Sequence, residues 1–289
     1  MLVLVGTYPS KDPKIIEGPA KLKAGKLVVS EEYIEISSGT IAMAAAVTLA
    51  CAYLNIEPPY CVFSGDLGTG EGSRNLYSYL KDDVFTLQPD IIVLHYIMPM
   101  IDEMVEFGFA LEDSNMNPIL IADAGGMYGA KISGLGHIFH LFTPDMGELA
   151  FLADPDAPHP MFVNENLYSF SEDRIPELIQ KVVYNEASPD VLIVKGSIDY
   201  IVRKGTIIDM IDSPDLPAME AVGGTGDTLT GIAAALIYYG NSIEKASGTA
   251  ARVNRIAGKS CNIKPDSSIA GLIEKIPQAL GLIMEEQTS

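Results

Sequence analysis

The chain is poor in cysteine and in positive charge. It has three cysteines in 289 residues, Cys51, Cys61 and Cys261, and no CxxC pair. That argues against a disulfide framework or a zinc site and fits a reducing, cytoplasmic setting. Lys and Arg total 19 against 38 Asp and Glu, a formal net charge of −19. Such a surface repels nucleic-acid backbones, so no nucleic-acid partner is expected. It repels nucleotides too, so binding one takes local amides, a lysine and a divalent cation. The four histidines, His95, His137, His140 and His159, lack metal-ligand spacing, and no direct transition-metal site is expected. His95 closes an apolar run, where a structural histidine is a simpler reading than a pocket-facing one. No stretch is long enough for a membrane span, and the longest near-apolar run, residues 40–54, reads as a buried helix. Residues 1–6 are too short for a signal peptide and lack a basic flank. There is no linker, internal repeat or low-complexity tract. With 48% hydrophobic residues, one domain over residues 1–289 is expected.

What the chain does have is alternation. Apolar runs at residues 1–6, 60–64, 90–95, 118–122, 138–142 and 191–194 read as buried strands. Helical segments separate them: residues 41–54, 73–80 with Ser73 as cap, 101–111, 146–152, and 171–185 with Ser171 as cap. Residues 26–30 and 33–36 read as a hairpin, and so do residues 200–202 and 206–211 around Lys204-Gly205. Residues 213–226 read as a loop, followed by three helices at 228–239, 243–261 and 267–284. Continuous apolar strands between helices predict an α/β fold of three layers, α/β/α, its central sheet mainly parallel and covered by helices on both faces. Ligands of such sheets sit at the carboxyl ends of the strands, where Asp123, Thr143 and Lys195 lie.

One stretch stands out. Gly223-Gly224-Thr225-Gly226-Asp227 runs into a strongly helical segment. Glycines let backbone amides converge, and a helix N-terminus adds partial positive charge, so the pair makes an anion hole. Asp227 at its mouth can take a proton from a bound hydroxyl. The same residues suit an ordinary glycine loop with Asp227 as helix cap.

This stretch resembles the Gly-(Ala/Thr/Ser)-Gly-Asp signature of the ribokinase-like superfamily. Thr143-Pro144-Asp145-Met146-Gly147-Glu148 resembles its Thr-Pro-Asn-x-x-Glu segment, and Val191-Leu-Ile-Val-Lys195-Gly196 resembles its Lys-Gly strand end, with a hairpin following. The resemblance covers roughly residues 90–260, which is the best-matching core. Within the superfamily the sequence is most similar to the ADP/ATP-dependent NAD(P)H-hydrate dehydratases. Ile121-Ala-Asp123-Ala also sits where those enzymes have Asp-Ala-Asp-Ala-Leu.

The resemblance implies roles. Gly224, Thr225 and Gly226 give amides to a transferring phosphate, and Lys195 contacts a nucleotide phosphate. Asp227 is the base, and Glu148 with Asp145 organises Mg2+. The nucleotide is ATP or ADP, and the partner is a small molecule. Two reactions follow from it: dehydration of NAD(P)H-hydrate through a phosphorylated hydroxyl, or transfer to a sugar or vitamin-precursor alcohol. A nucleotide-binding protein without chemistry is a further alternative. Asp145 stands where the dehydratases have His and the kinases Asn, and no segment reads as a kinase lid. Residues 1–36 are a variable N-terminal β segment, leaving the acceptor pocket open.

Other segments give weaker signals. Gly39, in Ser37-Ser38-Gly39-Thr40, and Asp123 are candidates for the substrate pocket. The Gly65–Gly72 stretch fails the dinucleotide spacing, because Ser73 stands at the third glycine position. It reads as a strand-to-helix turn whose Asp66 and Arg74 offer hydrogen bonds to an acceptor. Met98, Met100 and Met104 read as core. The C-terminal helices are a candidate interface for a homo-oligomer.

Overall fold

A computed structural model describes residues 1–162 and 172–286. Twelve strands run in chain order: β1 (Leu2–Tyr8), β2 (Ile15–Pro19), β3 (Lys21–Lys23), β4 (Lys26–Val29), β5 (Glu32–Glu35), β6 (Tyr60–Gly65), β7 (Ile91–His95), β8 (Ile119–Asp123), β9 (Leu141–Phe142), β10 (Val191–Val194), β11 (Asp199–Arg203) and β12 (Thr206–Ile211). The helices are α1 (Thr40–Leu54), α2 (Glu71–Asp82), α3 (Ile101–Asp113), α4 (Gly125–Ile132), α5 (Met146–Ala153), α6 (Ile175–Tyr184), α7 (Ala218–Ala221), α8 (Thr225–Tyr238), α9 (Ile243–Ser260), α10 (Ile269–Ile273) and α11 (Ile276–Glu286).

Nine strands form one sheet in the order β12-β11-β10-β9-β8-β7-β1-β6-β2. The six from β10 to β6 in that order pair in parallel, while β2 and the β11–β12 hairpin are antiparallel at the two edges. Alternation along each buried strand sends successive side chains to opposite faces. Leu2, Leu4, Phe63, Val93 and Ile193 join α1, α8, α9, α10 and α11 in one core. Val3, Val5, Val62, Leu94 and Leu192 join α2, α3, α4, α5 and α6 in the other. The result is a three-layer α/β/α fold with a mainly parallel sheet. No described helix is long and apolar enough to cross a membrane.

The turn at Lys204-Gly205 has both residues at positive φ (47° and 77°), as a two-residue hairpin demands. Several local expectations are corrected. Ser73 is not a cap: α2 begins at Glu71 after Gly70, and the Ser73 hydroxyl meets Asp66 and the Met98 N–H. Residues 138–140 are outside β9, because a short 3-10 turn, Gly136–Ile138, takes the chain away from the sheet. The final predicted helix is two, since Pro277 in the first turn of α11 starts a new one. Residues 218–221 are helical inside the expected loop. α4 has three glycines, poor helix formers, and its buried face overrides that propensity. The cap expected at Ser171 lies outside the described residues. A separate three-stranded sheet, β3-β4-β5, buries Leu27 and Val29 against α1. None of its residues lines the cavities described next.

Candidate active site

The carboxyl ends of β7, β8 and β10, the turn before α1 and the turn before α8 converge on Asp227. α8 has Gly224 as its N-cap at φ +105°, with no side-chain cap. A Cβ on Gly224 would lie 2.8 Å from Ile269, so both backbone angle and space require glycine. The first-turn amides of α8 have no partner within the helix. Asp227 does not cap that helix. Its Oδ2 accepts from the Gly39 N–H at 2.6 Å, and Gly39 is the N-cap of α1 at φ +81°. Two helix N-termini therefore meet at one carboxylate, a favourable place for negative charge.

The second partner of Asp227 is His95, fully buried at the end of β7. Its Nε2 lies 3.1 Å from Asp227 Oδ1 and 3.7 Å from Asp123 Oδ2, and its Nδ1 lies 3.0 Å from Thr40 Oγ1. Burial alone would favour the neutral ring. The hydrogen bonds and charges of Asp123 and Asp227 outweigh it and push His95 up to about 9. His95 is thus an imidazolium near neutral pH, and both ring nitrogens donate.

Asp123 is the hub of the neighbouring network. Lys195 Nζ donates to both its oxygens, at 2.9 and 3.1 Å. The Thr230 hydroxyl donates to Oδ2 at 2.6 Å, and the Ala124 N–H to Oδ1 at 2.8 Å. Burial would raise Asp123, but Lys195 and His95 hold it below the usual carboxylate range. Lys195 is held above the usual range because Asp123 and Glu148 outweigh its burial. The Lys195 ammonium also lies against the Gly226 backbone, 3.3 Å from where a Cβ would stand. Asp145 and Glu148 form a capping box on α5: the Asp145 N–H donates to Glu148 Oε2 and the Glu148 N–H to Asp145 Oδ1, each at 2.8 Å. Tyr128 donates to Glu148 Oε1. Burial and the charges of Asp145 and Asp123 push the Glu148 carboxyl up to about 7 against the pull of Lys195.

Two cavities open from this centre. The first, about 510 Å³, is lined by the Gly224–Asp227 turn, Asp123, Asp145, Glu148, Lys195 and Arg255. Seven carboxylate residues line it against two cations among the described residues. Both cations are already paired, Lys195 with Asp123 and Arg255 with Asp199 at 2.7 Å. The second, about 480 Å³, is lined by Tyr8, Gly39, Thr40, Asp66, Tyr96, Met98, Tyr128 and His159 among others. Tyr96 and Ala124 line both. Each is a non-glycine residue at positive φ (51° and 48°) directly after its strand, a strain of about 1–3 kcal/mol apiece that the packed strand ends sustain.

The family model described as Carb_kinase, NAD(P)H-hydrate dehydratase, matches residues 101–277. The chain belongs to this family. An uncharacterized protein of Methanocaldococcus jannaschii is 39% identical over 238 residues, 82% of this chain and 98% of that protein. The bifunctional NAD(P)H-hydrate repair enzyme Nnr of Hyperthermus butylicus is 45% identical over 92 residues, 31% of this chain and 17% of that enzyme. Among solved structures, the ADP/ATP-dependent NAD(P)H-hydrate dehydratase of Bacillus subtilis, co-crystallized with ATP/Mg2+ and soaked with CoA, superposes with a TM-score of 0.55. It is 13% identical, over 99% of this chain and 91% of that one, and shows the fold alone.

Within this family frame, the structure brings Gly39, Asp123, Lys195, Gly224, Thr225, Gly226 and Asp227 together, with Asp145 and Glu148 on the rim of the first cavity. The Thr225 hydroxyl is committed to the Met219 and Val222 carbonyls, so its contribution to the hole is its amide. Asp66 lines the second cavity, yet its carboxylate is used locally, accepting from the N–H groups of Gly68, Thr69, Gly70 and Ser73. Burial would raise it, and those four bonds hold it below its ordinary value. The turn's amides are thus filled by its own side chain. Arg74 is exposed and lines neither cavity, because it faces outward from the first turn of α2. Met98 is a wall of the second cavity rather than core, whereas Met104 is core. His95 is buried and satisfied, as the structural reading expected, and it lines neither cavity; what the sequence did not show is that its partners are Asp227 and Asp123. Its position at a carboxyl strand end was the one available signal. His95, Asp123 and Asp227 also have the spacing of a metal-holding group.

Proposed function

We propose that the chain is a nucleotide-dependent dehydratase of hydrated NAD(P)H, working through a phosphorylated hydroxyl. The observation that carries this reading is the place of Asp227. It lines the first cavity at the N-terminus of α8, held by His95 and by the N–H of Gly39, a residue of the second cavity's wall. The nucleotide, ATP or ADP, takes the first cavity and the hydrated ring takes the second. Asp227 accepts the proton of the ring hydroxyl, whose oxygen bonds to the terminal phosphorus as that phosphorus releases the rest of the nucleotide. Thr225 and Gly226 amides and the Lys195 ammonium hold the transferring phosphate. The phosphate ester then departs with the carbon–oxygen electron pair, displaced by the lone pair of the ring nitrogen. Loss of a proton from the adjacent carbon restores the double bond. ATP ends as ADP and phosphate, and the atoms of one water leave the ring.

The donor set fits a magnesium ion. Asp145 and Glu148 offer hard oxygen donors, and Glu148 is pushed up by burial and then by the negative charge of Asp145 and Asp123, which a divalent cation would offset. Bound there, the ion would supply charge neutralisation for the phosphates in a cavity rich in carboxylates. His95 acts through Asp227, fixing the direction of its proton-accepting oxygen.

The test is recovery of nicotinamide absorbance when the protein and ATP or ADP are added to hydrated NADH. Recovery that disappears in Asp227→Asn is expected. No recovery with either nucleotide would remove the dehydratase reading. Nucleotide consumed on an alcohol panel without any recovery would make the chain a small-molecule kinase, since both reactions share every step up to the ester. Thermal stabilisation by ATP with no turnover at all would make it a nucleotide-binding protein without chemistry.

A further inference from the structure

The two cavities differ in charge in a way that bears on what the second one accepts. Four aromatic side chains wall it: Tyr8, Tyr96, Tyr128 and His159. Tyr96 stands edge-on to the buried His95 ring, with centroids 4.6 Å apart, and Tyr128 packs edge-on to Phe151 and His159 at 5.3 and 5.6 Å. These walls come from the end of β1, the end of β7, α4 and the segment after α5. Such surfaces suit a flat heterocycle held by ring faces and edges. Among the described residues, no Lys or Arg lines the cavity. Residues 163–171 and 287–289 contain neither residue type. Among the described residues, the carboxylate in its wall is that of Asp66, and the wall residue Gly39 spends its N–H on a second carboxylate, Asp227. The turn at Asp66 could have offered amides to an anion, but its own carboxylate fills them.

We infer that the second cavity binds an uncharged, hydroxylated nitrogen heterocycle, and that any phosphate carried by the acceptor remains outside it. This rests on the dehydratase reading for the identity of the ring, and on the cavity alone for the exclusion of phosphate. A phosphate inside would lose its water with no Lys or Arg in the wall to replace it and with the Asp66 carboxylate facing it. The first cavity makes the contrast, since it has the α8 amides and Lys195 to meet phosphate. A cavity of about 480 Å³ has the size of a small-ligand pocket. The recognised unit is then the hydrated dihydronicotinamide ring with its ribose, and the phosphate and adenylate end add little to binding. The residues that decide this lie mostly before residue 101, where the family match begins. Most of the ring pocket thus lies outside the family-model range, while the phosphate site lies within it.

The experiment measures calorimetric binding of hydrated reduced nicotinamide riboside and of its 5′-phosphate, the mononucleotide, to the wild-type chain without ATP or ADP. The expected result is riboside binding with an affinity equal to that of the mononucleotide, within about tenfold. Mononucleotide binding more than about tenfold tighter would overturn the inference, as would absence of riboside binding. In a second arm, Met98→Lys places an amine in the cavity wall, and it is expected to raise affinity for the mononucleotide relative to the riboside. No gain for the mononucleotide in Met98→Lys would also count against the inference. Turnover with ATP is measured separately. If the riboside binds but neither compound recovers absorbance, the dehydratase reading fails while the charge selectivity of the pocket stands.

Discussion

The two cavities beside Asp227 were built by different means. The first is a backbone site: a glycine turn, a helix N-terminus and one lysine seated on Asp123. Nearly all of it lies within residues 101–277, the range that matches the family. The second is a side-chain site, made of aromatic rings delivered by β1, β7, α4 and the segment after α5, and much of it precedes that range. On the proposed reading the first meets phosphate, for which backbone solutions are few. An acceptor can be held by many sets of side chains, so the second is free to differ. Asp227 is the joint between them, and the predictions below test whether that joint and that contrast hold.

The largest effect is expected at Asp227. Asp227→Asn keeps the shape but removes the proton acceptor, and turnover should fall by about 10²–10⁴-fold. Nucleotide binding, measured by thermal shift with ATP and Mg2+, should persist. If binding is lost together with turnover, Asp227 belongs to the nucleotide side and is not the joint. Next in size is Lys195→Met. It leaves the buried Asp123 carboxylate without its cation and should destabilise the fold by about 3–5 kcal/mol in chemical denaturation. Asp123→Asn combined with Lys195→Met should recover part of that loss, because the uncompensated charge is gone. Equal stability of single and double variants would show that Lys195 does not act as the partner of Asp123.

A smaller, pH-dependent effect concerns His95. Its folded value is raised, from 6.5 to about 9, so the paired imidazolium stabilises the fold fully below about 6.5 and loses that contribution as pH rises through about 9. The Tm difference between wild type and His95→Asn should therefore shrink across that rise. A constant difference from pH 6 to 10 would mean that His95 packs without its charge. The smallest effect is expected for Arg74→Ala, which should stay within about 0.5 kcal/mol in stability and leave acceptor binding unchanged. A clear loss of acceptor binding there would place a cation at the second cavity and break the contrast.

Reading the sequence reached the first cavity far better than the second. The apolar strands, their separating helices and the Lys204-Gly205 hairpin follow from local pattern. So does the glycine turn, because a function performed by backbone amides leaves glycines in a row. Asp123 and Lys195 were visible as polar residues ending apolar runs. β2 was not legible: Ile15–Pro19 includes Gly18 and Pro19, which weaken a strand signal, and it survives as an edge strand. His95 and Asp227 are 132 residues apart, and only the adjacency of β7 to the α8 turn joins them. Tyr8, Tyr96, Tyr128 and His159 have no common spacing, since aromatic walls need proximity in space and no particular order in the chain.

The central claim is that one hydroxyl, deprotonated by Asp227, is phosphorylated and then eliminated. The most direct test is the stoichiometry of a single reaction: ADP formed from ATP against nicotinamide absorbance restored from hydrated NADH. The account predicts one ADP for each ring restored, with both signals lost together in Asp227→Asn. ADP formed without restored absorbance, or absorbance restored without ADP, would contradict it.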